Sequence, residues 1–283
     1  MPLPWFGRRR RPPQIDDALW RRVVTDFPFT GHLSDEELSR LRALCEAFLA
    51  HKTVSGAQGL VVTPRMRAAI ALQACLPVLH LGLGGYEDFV ELVLYPDQFL
   101  VRRSQVDDAG VVHESVDALA GEAMDRGPVV LSWADAAPGA RSQGWNVTIH
   151  EFVHKLDLAD GEADGIPPLP RDARHTWDQT LTAAYEDFCR QLDRVEAAIP
   201  AHVDPESTAA DPWYARLPLD AYAATDPAEF FAVSGEAFFV APHALAEAFP
   251  AWFALLRRFF GQDPRGASAD TRQDDSAHVS PPP

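Results

Sequence analysis

His150-Glu151-Phe152-Val153-His154 sets two imidazoles four residues apart, with a carboxylate beside the first. On a helix that spacing is about one turn, roughly 6 Å along the axis, so both rings lie on one face and can converge on one metal ion. Glu151 points to a neighbouring face, from which it can reach a water held by that metal. H-E-x-x-H on a helix is the arrangement zinc hydrolases use to cut amide bonds. A pattern with two free positions also arises by chance on surface or core-edge helices, so the surrounding residues have to be weighed.

Those residues favour a packed helix. Ile149, Phe152, Val153 and Leu156 follow the i, i+3, i+4, i+7 rule and form one apolar stripe. At roughly 100° per residue the two histidines flank that stripe, and Glu151 lies further round. The helix is expected over about 144–158. Gly161 and Asp164-Gly165 mark the turn that ends it.

Catalytic zinc takes three protein ligands and leaves one position for water. A continuation of the motif would put the third ligand ten residues after the first histidine, at Asp160. The glycine needed three residues before it is replaced by Asp157, which makes this route poor. The other route brings a glutamate from a downstream helix. Glu229 and Glu236 are seven apart on one such helix, with small residues between them that allow close helix approach. Glu229 has a competing explanation, because Asp226-Pro227-Ala228-Glu229 is also a helix start in which glutamate closes a capping box. Glu236 reads either as an acceptor behind a ligating histidine or as a surface acid. Asp157 offers the same two choices.

The elements that must position these residues are mixed. Ser34-Asp35-Glu36-Glu37 is a capping box before a helix carrying Leu38, Leu41, Leu44, Cys45 and Phe48. A second helix is expected to start at Thr63-Pro64. Strands are expected at Phe89–Tyr95, Phe99–Val101 and Pro128–Trp133. A long helix follows over Ala173–Ala198, a proline-rich loop over His202–Pro218, and helices over Pro227–Val240 and His243–Phe260, the second interrupted by Pro250. The fold class is therefore α+β, with few β-α-β alternations. The chain has 283 residues, 47% of them hydrophobic, enough for a sizeable core. It divides into a basic, frayed N-terminus over 1–13, which includes Arg8–Arg11, one domain over 14–265, and a polar disordered tail over 266–283.

Asp and Glu number 41 against 25 Lys and Arg, a net charge of −16, which argues against direct nucleic-acid binding. Cys45, Cys75 and Cys189 are odd in number and lack C-x-x-C spacing, so a disulfide framework is not expected and a cytoplasmic location fits. No secretory signal and no apolar run of about 18 residues is present, so no membrane span is expected.

Two stretches resemble one family. His150-Glu-Phe-Val-His154-Lys155-Leu156-Asp157, and Asp220-Ala-Tyr222-Ala-Ala-Thr-Asp-Pro-Ala-Glu229-Phe-Phe-Ala-Val, are similar to the metal helix and third-ligand region of the Mlc titration factor A family. The likeness extends upstream to Leu76-Pro77-Val78-Leu79, Leu94-Tyr95-Pro96 and Gly127-Pro128-Val129-Val130-Leu131. That resemblance implies a zincin-like, gluzincin-type bacterial peptidase whose catalytic domain is similar to that of anthrax lethal factor. It implies one Zn²⁺ per chain held by His150, His154 and Glu229, with Glu151 as general base and Tyr222 assisting at the transition state. It implies a peptide substrate, aminopeptidase-like activity, and binding of an Mlc-type transcriptional repressor. The alternative is a non-catalytic protein that titrates such a repressor by binding alone. The chain departs from the family pattern at Gly235-Glu236-Ala237-Phe238-Phe239, where a serine and a tyrosine are replaced. By analogy with zinc peptidases, the strand at Pro128–Trp133 is expected to be an edge that pairs with extended substrate.

Overall fold

Helix α1 (Asp17–Asp26) opens where Asp16 accepts hydrogen bonds from the main-chain N–H groups of Ala18 and Leu19. Helix α2 (Asp35–His51) begins at Ser34 with the expected capping box. It runs directly into strand β1 (Thr53–Gly56). Helix α3 (Pro64–Cys75), with Thr63 as cap and Pro64 in its first turn, is buried along most of its length. The computed structural model describes residues 14–106, 112–119, 121–123, 127–139 and 145–266. The expected basic N-terminus lies outside the described residues, as does all of the expected tail but Gly266.

The main sheet has four strands in the order β1-β2-β6-β5. β1, β2 (Glu91–Tyr95) and β6 (Val129–Ser132) are parallel, and β5 (Gly121–Ala123) lies antiparallel along the far side of β6. β6 is buried at every residue. That explains why Val129-Val130-Leu131 is a continuous apolar run rather than an alternating one. β3 (Phe99–Val106) and β4 (Val112–Leu119) form a separate antiparallel pair, with Phe99 opposite Leu119 and Val106 opposite Val112. The expectation that the strand at Pro128–Trp133 is an edge is corrected. β6 has β2 on one side and β5 on the other, and among the described residues β1 and β5 are the edges of this sheet.

After a short helix α4 (Trp133–Ala136) comes α5 (Val147–Asp157), which carries the histidines. Its cap is Asn146, whose side-chain oxygen accepts from Ile149 N–H at 2.9 Å. A 3-10 turn over Leu158–Asp160 and Gly161, at φ 98°, end it where a left-handed residue was expected. Helix α6 (Arg171–Ala197) is followed by a short α7 (Asp211–Tyr214) inside the proline-rich segment. Helix α8 (Pro227–Val240) has the expected limits and is buried on nearly every side. The last expected helix is two, α9 (Pro242–Ala248) and α10 (Pro250–Phe260), because Phe249 leaves the helical region and Pro250 starts a new first turn.

One contiguous core runs from Ile15 to Phe260. Two aromatic groups organise it. Phe152 of α5 packs on Phe48, Tyr86 and Phe89 at 5.0–5.9 Å between ring centres. On the other side, Trp177 of α6 packs on Phe231 of α8 and on Trp252 and Phe259 of α10. Lys155 of α5 is fully buried and pairs with Asp88 at 2.9 Å, which supplies the counter-charge a buried ammonium needs. Among the described residues no helix is long and apolar enough to cross a membrane.

Candidate metal centre

The stripe expected of α5 is its buried face: Ile149, Phe152 and Val153 are fully buried and Leu156 nearly so. Packing that stripe against the sheet and α8 leaves His150 and His154 facing the start of α8. Their Nε2 atoms are 3.2 Å apart. Glu229 Oε2 lies 3.1 Å from His154 Nε2 and 3.3 Å from His150 Nε2. Among the described residues these three side chains are the one group of His, Cys, Asp or Glu whose donor atoms converge this closely.

Glu229 does stand in the first turn of α8, and its main-chain N–H is capped by Asp226 Oδ1 at 2.9 Å. Its carboxylate turns to the histidines, so the capping function falls to Asp226. Tyr222, in a 3-10 turn over Ala221–Ala224, donates its phenolic O–H to Glu229 Oε1 at 3.1 Å. Its ring centre is 6.3 Å from that of His150, and the residue is 41% exposed. Tyr222 therefore stands at the mouth of the site.

The approach of α8 to α5 depends on Gly235. A Cβ built there would lie 3.0 Å from Val153 Cγ2 and 3.1 Å from Val153 Cγ1. A similar closeness holds Glu151. A Cβ at Gly121 of β5 would lie 2.5 Å from Glu151 Oε1, so the carboxylate rests against the bare backbone of the edge strand. Glu151 is 6% exposed.

Charge is arranged around the convergence point as a cation would require. Burial disfavours a charged His150 ring, but the Glu229 and Glu236 carboxylates overcome this and lift its pKa to about 10. Burial opposes ionisation of Glu229 too, yet the His150 and His154 imidazoles hold it well below the usual carboxylate range. The three donor atoms thus favour a positive charge among them, whether a proton or a metal ion supplies it.

Other residues are placed differently. Asp160 is exposed and lies 3.9 Å from Arg174, away from the cluster. Asp157 is buried, but its Oδ2 accepts from Gly165 N–H at 2.8 Å, so it fastens the following loop instead of steadying a histidine. Glu236 is 1% exposed, which excludes the surface-acid alternative. Trp145, whose ring stacks parallel to His150 with centres 6.4 Å apart, was not foreseen. Neither was Gly121, whose strand is too short and too polar to signal itself.

The family model of glucose-regulated metallo-peptidase M90 matches residues 4–261. The chain belongs to this family. It is 39% identical over 265 residues to Mlc titration factor A of Edwardsiella ictaluri (strain 93-146), covering 93% of this chain and 94% of that protein. It is 37% identical over 280 residues to Mlc titration factor A of Serratia proteamaculans (strain 568), covering 98% and 99%. It is 37% identical over 263 residues to the protein of the same name from Escherichia fergusonii, covering 93% and 92%. Family and geometry agree on a metal-ion site, and the donor set is chemically suited to one.

Proposed function

We propose that this chain is a gluzincin-type zinc peptidase, built as one zincin-like domain over residues 14–265 and acting on peptides in the cytoplasm. The observation that carries the reading is the triangle of His150 Nε2, His154 Nε2 and Glu229 Oε2, with sides of 3.2, 3.1 and 3.3 Å. Zinc with bonds of about 2.0–2.1 Å in a tetrahedral site separates its ligand atoms by about 3.3 Å. Two nitrogens and a carboxylate oxygen also suit zinc better than a hard cation such as Ca²⁺ or Mg²⁺, which prefers oxygen alone. His150, His154 and Glu229 would hold the ion. Bound there, zinc supplies a Lewis acid that eases water ionisation near neutral pH and polarises a carbonyl.

The remaining work falls to the chain's own groups. Glu151, on the next face of α5, takes the proton from the attacking water and passes it to the leaving amine. The Tyr222 hydroxyl, at the mouth of the site, donates to the oxygen that gains negative charge. β5 is the edge strand that runs against Glu151, the other edge being β1, so an extended peptide adds to β5 rather than to β6. An aminopeptidase-like preference is carried over from the family resemblance and needs its own substrate survey.

The test uses zinc-loaded Glu151→Gln and Tyr222→Phe. Glu151→Gln should retain the metal and lose turnover by several orders of magnitude. Tyr222→Phe should lose about 10²-fold in kcat, as for removal of one oxyanion donor. Full activity in metal-loaded Glu151→Gln removes the base from the reading.

A second reading is favoured by the relatives. Each is named for titrating Mlc, and this chain carries a net charge of −16. An acidic surface is complementary to the basic operator-facing side of a DNA-binding repressor. Binding such a partner would need no zinc. If chelation abolishes peptide cleavage and leaves partner binding intact, the two functions occupy separate surfaces. If zinc-loaded protein cleaves no peptide, repressor binding alone is the function.

A further inference from the structure

Glu236 sits two turns beyond Glu229 on α8, deep in the protein. It is 1% exposed, and a carboxylate at such a place has to be compensated by the groups around it. Among the described residues no lysine or arginine compensates it. Its Oε1 accepts the main-chain N–H of Asn146, the cap of α5. Its Oε2 lies 3.6 Å from His150 Nδ1, just beyond hydrogen-bond distance, and both atoms are buried with no other partner. A small tilt of the imidazole satisfies the two together, and no other group is placed to satisfy either.

The carboxylate itself is held in place. The Asn146 side-chain N–H donates to Gln73 Oε1 at 2.8 Å. Gln73 Nε2 in turn donates to the carbonyls of Ala69 and Ala136 at 3.1 and 3.2 Å. Gln73 is 1% exposed, so this chain of bonds is shielded from water. It ties α3, α4, the start of α5 and the middle of α8 to one point behind His150.

We infer that Glu236 is the positioning residue of His150, accepting the Nδ1 proton so that the lone pair of Nε2 faces His154 and Glu229. A histidine that binds a cation through Nε2 must carry its proton on Nδ1, and a carboxylate acceptor fixes both that tautomer and the ring angle. Glu236 therefore sets how tightly the metal is held and leaves the chemical step to Glu151. This inference rests on the reading of His150 as a ligand.

The test compares wild-type protein, Glu236→Gln and Glu236→Asp, with zinc affinity read by competition with a chromophoric chelator. Glutamine can keep the bond to Asn146, but it turns an amide N–H₂ toward His150 Nδ1. It should fold with a melting temperature near that of the wild type and bind zinc about 10–100-fold more weakly. The kcat at saturating zinc should change far less. In zinc-loaded wild type, NMR should show a downfield, exchange-protected Nδ1 proton on His150 that is absent in Glu236→Gln. Wild-type zinc affinity in Glu236→Gln, or a His150 Nδ1 proton unaffected by the substitution, overturns the inference. Should Glu236→Gln fail to fold, Glu236→Asp keeps the charge but withdraws it by one methylene. It should then show a weakened, still detectable Nδ1 contact and intermediate affinity, and unaltered values there overturn the inference equally. Failure of the underlying reading looks different: wild-type protein binds no zinc, or His154→Ala binds it undiminished.

Discussion

Helices α5 and α8 bring ligands to the same point by different means. In α5 the two histidines are one turn apart, so the helix alone nearly fixes their relation, and their Nε2 atoms meet at 3.2 Å. In α8 the single ligand stands in the first turn, and nothing local aims it. Glu229 reaches the histidines because α8 lies against α5, with Gly235 on Val153. Half of the site is thus built by secondary structure and half by tertiary packing. The packed half is the one that a remote substitution can destroy.

Gly235→Leu is the sharpest way to break that difference. A Cβ already meets Val153 at 3.0 Å, and the rest of a leucine has no room unless the helices separate. Overpacking of this kind costs about 1–3 kcal/mol, partly offset by the better helix propensity of leucine, about 0.8 kcal/mol. The larger consequence is functional: Glu229 moves away while the histidine pair survives. Urea unfolding should show the loss of stability, and zinc affinity should fall toward that of Glu229→Ala. If Gly235→Leu binds zinc as the wild type does, helix approach is not what aims Glu229.

This division also explains how much of the site was legible in the sequence. The histidine pair, Glu151 and the limits of α8 are local patterns, and they stand out in one pass along the chain. Glu229 could not be separated from a capping residue, because a first-turn carboxylate serves either purpose and only the fold shows where it points. Glu236 was open for the same reason. A buried position in a helix that is apolar all round gives no periodic signal. The sheet was less legible still. β1 and β5 are short, and their partners β2 and β6 lie more than thirty and about eight residues away, so pairing rather than composition makes them strands. The edge expected at Pro128–Trp133 came by analogy with zinc peptidases, and no local pattern announced β5, the strand that covers that side of β6.

Gly121→Ala should have a smaller, more selective effect on the α5 half. The new methyl would fall 2.5 Å from Glu151 Oε1 and 2.7 Å from Val147 Cγ2, so the carboxylate must swing off β5. A displacement of about 1 Å in a reacting group can cost about 10²-fold in rate. The prediction is a fall of that order in kcat with zinc affinity unchanged, the reverse of the pattern expected for Glu236→Gln. Equal loss of metal and rate would mean that β5 supports the whole of α5 and not Glu151 in particular.

The smallest effect on activity concerns the far end of α5, where Asp157 fastens the loop that follows. Burial raises its pKa from 3.8 to about 7; the Gly165 N–H opposes the rise, and Asp164 and Asp160 add to it. The folded chain therefore holds a proton on Asp157 that the unfolded chain has released. The resulting stability is complete below about pH 4 and is lost as pH rises through 7. Asp157→Asn imitates the neutral form and keeps an oxygen for Gly165 N–H. Its stability should be close to that of the wild type near pH 4 and exceed it by about 4 kcal/mol at pH 8. Urea midpoints at pH 4, 5.5, 7 and 8 measure the difference between the two proteins, which cancels the titration of every other group. Parallel curves would mean that Asp157 is ionised throughout. The loop would then be held by a charged carboxylate accepting from Gly165 N–H.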